Sequence, residues 1–175
     1  MSPPNDPEPG TAPDLIWSDR DEPRSTRFGD VYFSSEDGLA ESRAVFLQGC
    51  GLPLAWQDRD HFCVGELGFG TGLNMVAVIE LWLEHRSPGA WLSLFSIEAW
   101  PLSADQAKRA LDRLCQDSPV ARRLVADWPS VTIGFHRLVW EDWGLSLDLY
   151  IGDVLDGLQA WSGKADAWFL DGFSP

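Results

Sequence analysis

Residues 62–74 read Phe-Cys-Val-Gly-Glu-Leu-Gly-Phe-Gly-Thr-Gly-Leu-Asn, and this stretch decides the fold. A short apolar run ends in an acid, Glu66. Glycines follow at 68, 70 and 72, and an apolar pattern of helical spacing begins at once. Strand, tight turn and helix start, in that order, form the unit in which α/β proteins hold a nucleotide-like ligand. A dinucleotide site asks for G-x-G-x-x-G. Counted from Gly68 the sixth position is Leu73, so that template fails at its last glycine and an NAD-type oxidoreductase is disfavoured. The form present is E-x-G-x-G-x-G. Its plainest reading is a glycine-rich βα turn with no ligand. Three alternating glycines after a strand-end acid are hard to explain by turn geometry alone.

The same spacing resembles the first motif of class I S-adenosylmethionine methyltransferases. The chemistry follows from the residue types. Glycine permits positive φ and lets a ligand approach the backbone closely. The opening amides of the helix can bind a carboxylate, here the amino-acid tail of S-adenosylmethionine. Glu66, at the strand end, can take a charged ammonium, directly or through water.

Outward from this unit the chain alternates. Residues 28–34 read as a short strand that could pair with Leu15–Trp17, and residues 38–49 carry apolar positions at helical spacing. The strand at 62–67 leads into a helix over 72–86, closed by Ser87-Pro88-Gly89. A β-rich stretch over 91–97 ends in Glu98. Helices follow over 103–115 and 118–126, the second opening on Ser118-Pro119. Strands at 131–140 and 146–151 flank a turn at Asp142–Gly144. Asp153 opens a helix to about Trp161, and 165–170 is a buried strand ending in Asp171-Gly172-Phe173-Ser174-Pro175. Such alternation predicts an α/β fold, a parallel sheet with helices on both faces. Ligands in such sheets lie beyond the carboxyl ends of the strands. The informative acids are therefore Glu66, Glu98, Asp153 and Asp171. A single strand-end acid is commonly a helix cap or a solvated loop residue. Four at four successive strand ends are less easily assigned that way.

Composition bounds the rest. The chain has 175 residues, enough for one domain and not two, and 45% are hydrophobic, enough for a core. Ten tryptophans are read as core and edge filling. No apolar run approaches membrane-spanning length. Residues 1–13 are rich in proline and acids, lack a signal-peptide core, and read as a disordered tail before a domain over 14–175. Three cysteines, at 50, 63 and 115, have no metal-ligand spacing; with an odd count they suit reduced thiols in the cytoplasm, and no metal site is expected. A net charge of −14 repels phosphate, so the surface as a whole should not bind nucleic acid by itself. The small groups Arg20, Arg24, Arg27 and Arg122, Arg123 read as solvated surface. A full sheet of this type needs strands beyond the one ending at Asp171. The expectation is an incomplete domain, its C-terminal strands missing and the apolar run 167–170 left on an edge.

Longer stretches carry a more specific resemblance. Gly-Asp-Val-Tyr-Phe-Ser (29–34), Gly-Leu-Ala-Glu-Ser-Arg-Ala-Val-Phe-Leu (38–47), the glycine motif (66–74), Ser-Ile-Glu-Ala-Trp-Pro-Leu (96–102), Leu-Asp-Leu-Tyr-Ile-Gly-Asp (147–153) and Ala-Asp-Ala-Trp-Phe-Leu-Asp-Gly-Phe-Ser-Pro (165–175) are similar to the methyltransferase domain of the MnmC family. The similarity runs from about residue 14 to the end. It implies a Rossmann-like class I sheet and S-adenosyl-L-methionine as cofactor. It implies N-methylation of the primary amine of 5-aminomethyl-2-thiouridine at the tRNA wobble position, with tRNA as partner. In the family a fused C-terminal oxidoreductase domain, carrying FAD, supplies that amine; nothing of it is in this sequence.

Roles follow by position. Glu66 and the backbone of Gly68, Phe69, Gly70 and Gly72 would hold the methionine end of the cofactor, with Tyr32 in the same binding set. Glu98 would accept from both ribose hydroxyls. Asp153 would meet the adenine amino group. Asp171 would act catalytically on the substrate amine, as base or as orienting group. Phe173 would stack on the uridine or simply pack. Two other functions stay open on the residues alone: a methyltransferase for another amine or a protein, which the acidic charge favours over tRNA, and a non-catalytic S-adenosylmethionine-binding remnant.

Overall fold

The computed structural model describes residues 9–13, 15–18, 23–25 and 38–170. Within them the elements follow in the order β1 (Leu15–Trp17), β2 (Pro23–Ser25), α1 (Gly38–Ser42), β3 (His61–Leu67), α2 (Leu73–His85), β4 (Trp91–Glu98), α3 (Ala104–Leu114), α4 (Pro119–Ala126), β5 (Gly134–Trp140), β6 (Leu145–Ile151), α5 (Val154–Ala160) and β7 (Ala167–Leu170). Local chemistry sets the helix starts. Ser103 and Gln106 form a reciprocal capping box on α3, Ser118 accepts from Ala121 N–H on α4, and Asp153 accepts from Leu155 and Asp156 N–H on α5.

The main sheet has the order β5-β6-β4-β3-β7. β3, β4, β6 and β7 run parallel, as the alternation predicts. β5 is the exception and lies antiparallel to β6. A three-residue helical turn, Glu141–Trp143, with Gly144 at φ 59°, joins them. That connection is too short for the crossover a parallel pair needs. The strands alternate sides as their period requires. Val64, Leu94, Leu147, Leu149 and Phe169 face one way, into a core shared with Met75, Val76, Ile79 and Trp82 of α2 and Leu124 of α4. The opposite face receives α5 and an aromatic group. Phe95 stacks on Trp161 at 4.1 Å, and Trp168 meets both rings edge-on. At Gly65 a β-carbon would lie 2.6 Å from the Trp168 ring, so this strand position admits nothing larger.

Three expectations change. The helix expected over 38–49 is α1 followed by a wider turn at Arg43–Leu47, whose i to i+5 bonds run on to Leu52 N–H at 2.8 Å from Leu47 C=O. β1 pairs with β2, Leu15 opposite Ser25; the strand expected over 28–34 lies outside the described residues. Residues 9–13, expected as part of a disordered tail, are tied to the body. Gly10 N–H donates to Ala99 C=O at 2.8 Å, and Gln106 Nε2 donates to Pro13 C=O at 3.2 Å. Backbone hydrogen bonding holds this stretch where composition offers no core. β7 is an edge strand, with Leu170 exposed and Phe169 buried. No helix among the described residues is long and apolar enough to cross a membrane.

Candidate active site

The strand register brings Glu66, Glu98 and Asp153 to one end of the sheet. Leu67 lies opposite Ile97 and Leu170, and Glu98 opposite Ile151. The loop after β3 therefore starts beside the loops that follow β4 and β6 and beside the end of β7. Gly68 and Phe69 N–H both donate to Ile97 C=O, at 2.9 and 3.2 Å, and Gly72 N–H donates to Phe69 C=O at 2.8 Å. This folding needs positive φ at alternate residues: 90° at Gly68, 54° at Gly70 and 77° at Gly72. Hence the alternating glycines. Phe69 does not face the loop opening; its ring is buried 5.1 Å from that of Trp128. Its N–H and C=O are both bonded within the loop, so the residue supports the turn from behind.

Gly72 is the N-cap of α2, and no side chain caps this helix. α3, α4 and α5 are each capped by a serine or an aspartate. The first-turn amides of α2 thus lack the acceptor that those helices carry, and they suit a ligand carboxylate.

Glu98 is fastened to the glycine loop. Its Oε2 accepts from Gly70 N–H and its Oε1 from Trp100 N–H, both at 2.9 Å. Burial pushes its carboxyl above the ordinary value of 4.5, while backbone N–H groups of Gly70, Trp100 and Ala99 pull the other way. A carboxylate has about four acceptor positions, so these bonds leave capacity for ligand hydroxyls. Glu66 is 0% exposed, and its Oε2 accepts from Ser96 Oγ at 2.6 Å. The contact joins β3 to β4 at paired register positions, one step before the loop. Asp153 is exposed and caps α5 through Oδ1, at 2.8 Å from Leu155 N and 3.4 Å from Asp156 N. Its Oδ2 takes no protein donor among the described residues. Asp171, Phe173 and Tyr32 lie outside the described residues.

Two supporting residues escaped the sequence reading. Ser96 had a signal: it is the polar member of the inward row Leu92, Leu94, Ser96, and a buried hydroxyl needs a partner. Trp128 had none. It reaches the site by packing on Phe69 and by donating from Nε1 to Leu102 C=O at 2.9 Å. A β-carbon on Gly72 would lie 3.0 Å from Leu124 and 3.4 Å from both Phe69 and Trp128, so the loop is closed from behind. The cysteines carry no site chemistry. Burial pushes the Cys63 thiol up to about 11, with Asp166 and Asp148 adding to it, and burial with Glu80 does the same for Cys115. Among the described residues no group of three His, Cys, Asp or Glu side chains is placed to hold a metal ion.

An uncapped helix terminus behind a positive-φ glycine loop, beside a half-buried carboxylate with spare acceptors, fits S-adenosyl-L-methionine. Residues 116–175 match a family profile described as S-adenosyl-L-methionine-dependent methyltransferase. The crystal structure of MNMC2 from Aquifex aeolicus shares the fold, with a TM-score of 0.66 and 21% identity over 98% of this chain and 52% of that one. The fold and the profile match both point to the class of S-adenosyl-L-methionine-dependent methyltransferase domains.

Over nearly its whole length the chain is similar to MnmC proteins. It is 53% identical to the tRNA 5-methylaminomethyl-2-thiouridine biosynthesis bifunctional protein MnmC of Caulobacter sp. (strain K31), over 94% of this chain and 28% of that protein. The protein of the same name from Maricaulis maris is 48% identical over 93% and 28%. The chain thus spans little more than a quarter of the length of these relatives.

Proposed function

We propose that the chain methylates the primary amine of 5-aminomethyl-2-thiouridine at the tRNA wobble position, giving 5-methylaminomethyl-2-thiouridine. The observation that carries the cofactor half is the junction of Glu98 with Gly70, next to the uncapped start of α2. The substrate half rests on the similarity to proteins whose name states that biosynthesis. Bound there, S-adenosyl-L-methionine supplies a methyl group on a positively charged sulfur.

The residues then divide the work. The first-turn amides of α2 hold the methionine carboxylate, and the glycines at 68, 70 and 72 let it come close to the backbone. Glu66, behind the loop, adds negative charge toward the ammonium. Glu98 accepts the ribose hydroxyls, and the Asp153 oxygen not used in capping accepts from the adenine amino group. Tyr32 completes the cofactor-binding set. Asp171 follows directly on Leu170, whose register partner Leu67 precedes the glycine loop. That position suits a carboxylate that holds or takes a proton of the substrate amine, which is nucleophilic only when neutral. Phe173, two residues on, gives the uracil ring a stacking surface. A fused FAD-dependent oxidoreductase domain, in the relatives' bifunctional arrangement, would supply the amine.

Nucleoside mass spectrometry tests this reading on tRNA carrying the 5-aminomethyl precursor, incubated with the full-length protein and S-adenosyl-L-methionine. The expected result is a gain of one methyl on that nucleoside. No gain, with cofactor binding intact, leaves the second reading in the lead: methylation of another amine, which the net charge of −14 favours over a polyphosphate partner.

A further inference from the structure

We propose that the N-terminal segment anchored at Gly10, Pro13 and Trp17 is a strap that positions Glu98 for the cofactor ribose. The inference rests on the reading of Glu98 as ribose acceptor. One peptide unit carries it. The C=O of Ala99 accepts from Gly10 N–H at 2.8 Å, and the N–H of the same unit, on Trp100, donates to Glu98 Oε1 at 2.9 Å. A trans peptide is planar, with C=O and N–H pointing in opposite directions. A bond that fixes the carbonyl on one side therefore fixes the donor on the other. Gly10 holds the back of the group that aims the Glu98 carboxylate.

Two further anchors keep Gly10 in place. Gln106 Nε2 donates to Pro13 C=O, while its Oε1 accepts from Ser103 N–H in the α3 cap, so the strap is tied to the loop that leaves Trp100. The guanidinium of Arg109 lies 4.1 Å from the Trp17 ring centroid. The fit at Gly10 is tight. Its φ is 88°, and a β-carbon there would lie 2.9 Å from Ile133 Cγ1. Glu98 depends on such support because its bonding partners among the described residues are backbone amides and include no cation. Its aim is set by how those peptides are held.

The test is calorimetric titration of the full-length protein with S-adenosylhomocysteine. The variants are Gly10→Ala, deletion of residues 2–12, and each of these combined with Glu98→Ala. Removing the anchor should weaken binding about tenfold while Glu98 is present, the usual scale for one hydrogen bond to a charged group. It should cause no further loss once Glu98 is alanine, because nothing is left to position. With the anchor gone, the pH below which binding fails should also move upward, since the carboxylate has lost an aligned donor. Ile133→Ala, which removes the neighbour of Gly10 but not its N–H, should keep full affinity. Unchanged affinity in both anchor variants, an equal loss with and without Glu98, or a loss in Ile133→Ala would each overturn the strap. Unchanged affinity in Glu98→Ala alone would instead overturn the ribose reading beneath it.

Discussion

Replacing Glu98 with glutamine separates what this carboxylate does for the fold from what it does for a ligand. It accepts from Gly70 N–H and Trp100 N–H, each at 2.9 Å. Glutamine keeps the shape but offers one acceptor oxygen and one donor NH2. Whichever way the amide turns, one backbone N–H then faces another donor. The bond lost is one to a charged acceptor, worth about 1.5–3 kcal/mol. Against that stands the desolvation of the carboxylate, strong enough to raise its pKa, which the neutral amide avoids. The two effects oppose each other in the unliganded chain. A residual of ~1 kcal/mol either way moves the melting temperature of a domain this size by only about 2–4 °C. The ribose has no such offset. Its hydroxyls meet a neutral amide in place of a carboxylate and lose about 1.5–3 kcal/mol. That is roughly 10- to 150-fold in Kd. Calorimetry with S-adenosylhomocysteine and thermal unfolding by circular dichroism read the two quantities side by side. An affinity within about threefold of wild type, less than 1 kcal/mol, would refute the assignment of the ribose to Glu98.

The same carboxyl predicts a pH dependence. Its folded pKa is raised, chiefly by burial, so its contribution to stability is fully present below the unfolded value and is lost as pH rises through the folded one. Ligand hydroxyls need the ionised form, so S-adenosylhomocysteine affinity should climb through that same interval above 4.5 and then level off; a flat calorimetric profile across it contradicts this. Gly70→Val forces a β-branched residue to φ 54° and blocks the backbone approach, so binding should be lost; retained affinity in the folded variant would move the site elsewhere. Gly65→Val drives a side chain into the Trp168 ring at 2.6 Å and should destabilise the β3–β7 pairing by about 1–3 kcal/mol; an unshifted urea midpoint counts against that packing. Asp171→Asn should leave cofactor binding nearly intact while cutting turnover by roughly 10²–10⁴-fold if the carboxylate acts as general base, measured as methylated nucleoside per minute. A smaller loss assigns it to orienting the amine.

Much of this architecture was legible in the chain. The alternating glycines after Glu66, the caps at Ser118 and Asp153, and the apolar runs ending in acids located β3, α2, β4, α4 and α5, because each of these signals is a bond or a burial pattern spanning a few residues. They also pointed to Glu66, Gly70 and Glu98 as residues of one candidate site, and the sheet does bring these three together at its strand ends. What the local pattern could not contain was partnership between distant segments. Nothing in the sequence says that Glu98 is bonded to Gly70, 28 residues away, or that Ser96 donates to Glu66 across the β3–β4 pair. Trp128 behind the loop and Gly10 drawn out of a proline-rich tail onto Ala99 are of the same kind. A periodicity reports which side of an element meets the core, and a cap reports where a helix starts. Which carbonyl a glycine N–H finds on the far side of the molecule is settled only when the sheet order and register have brought the two together.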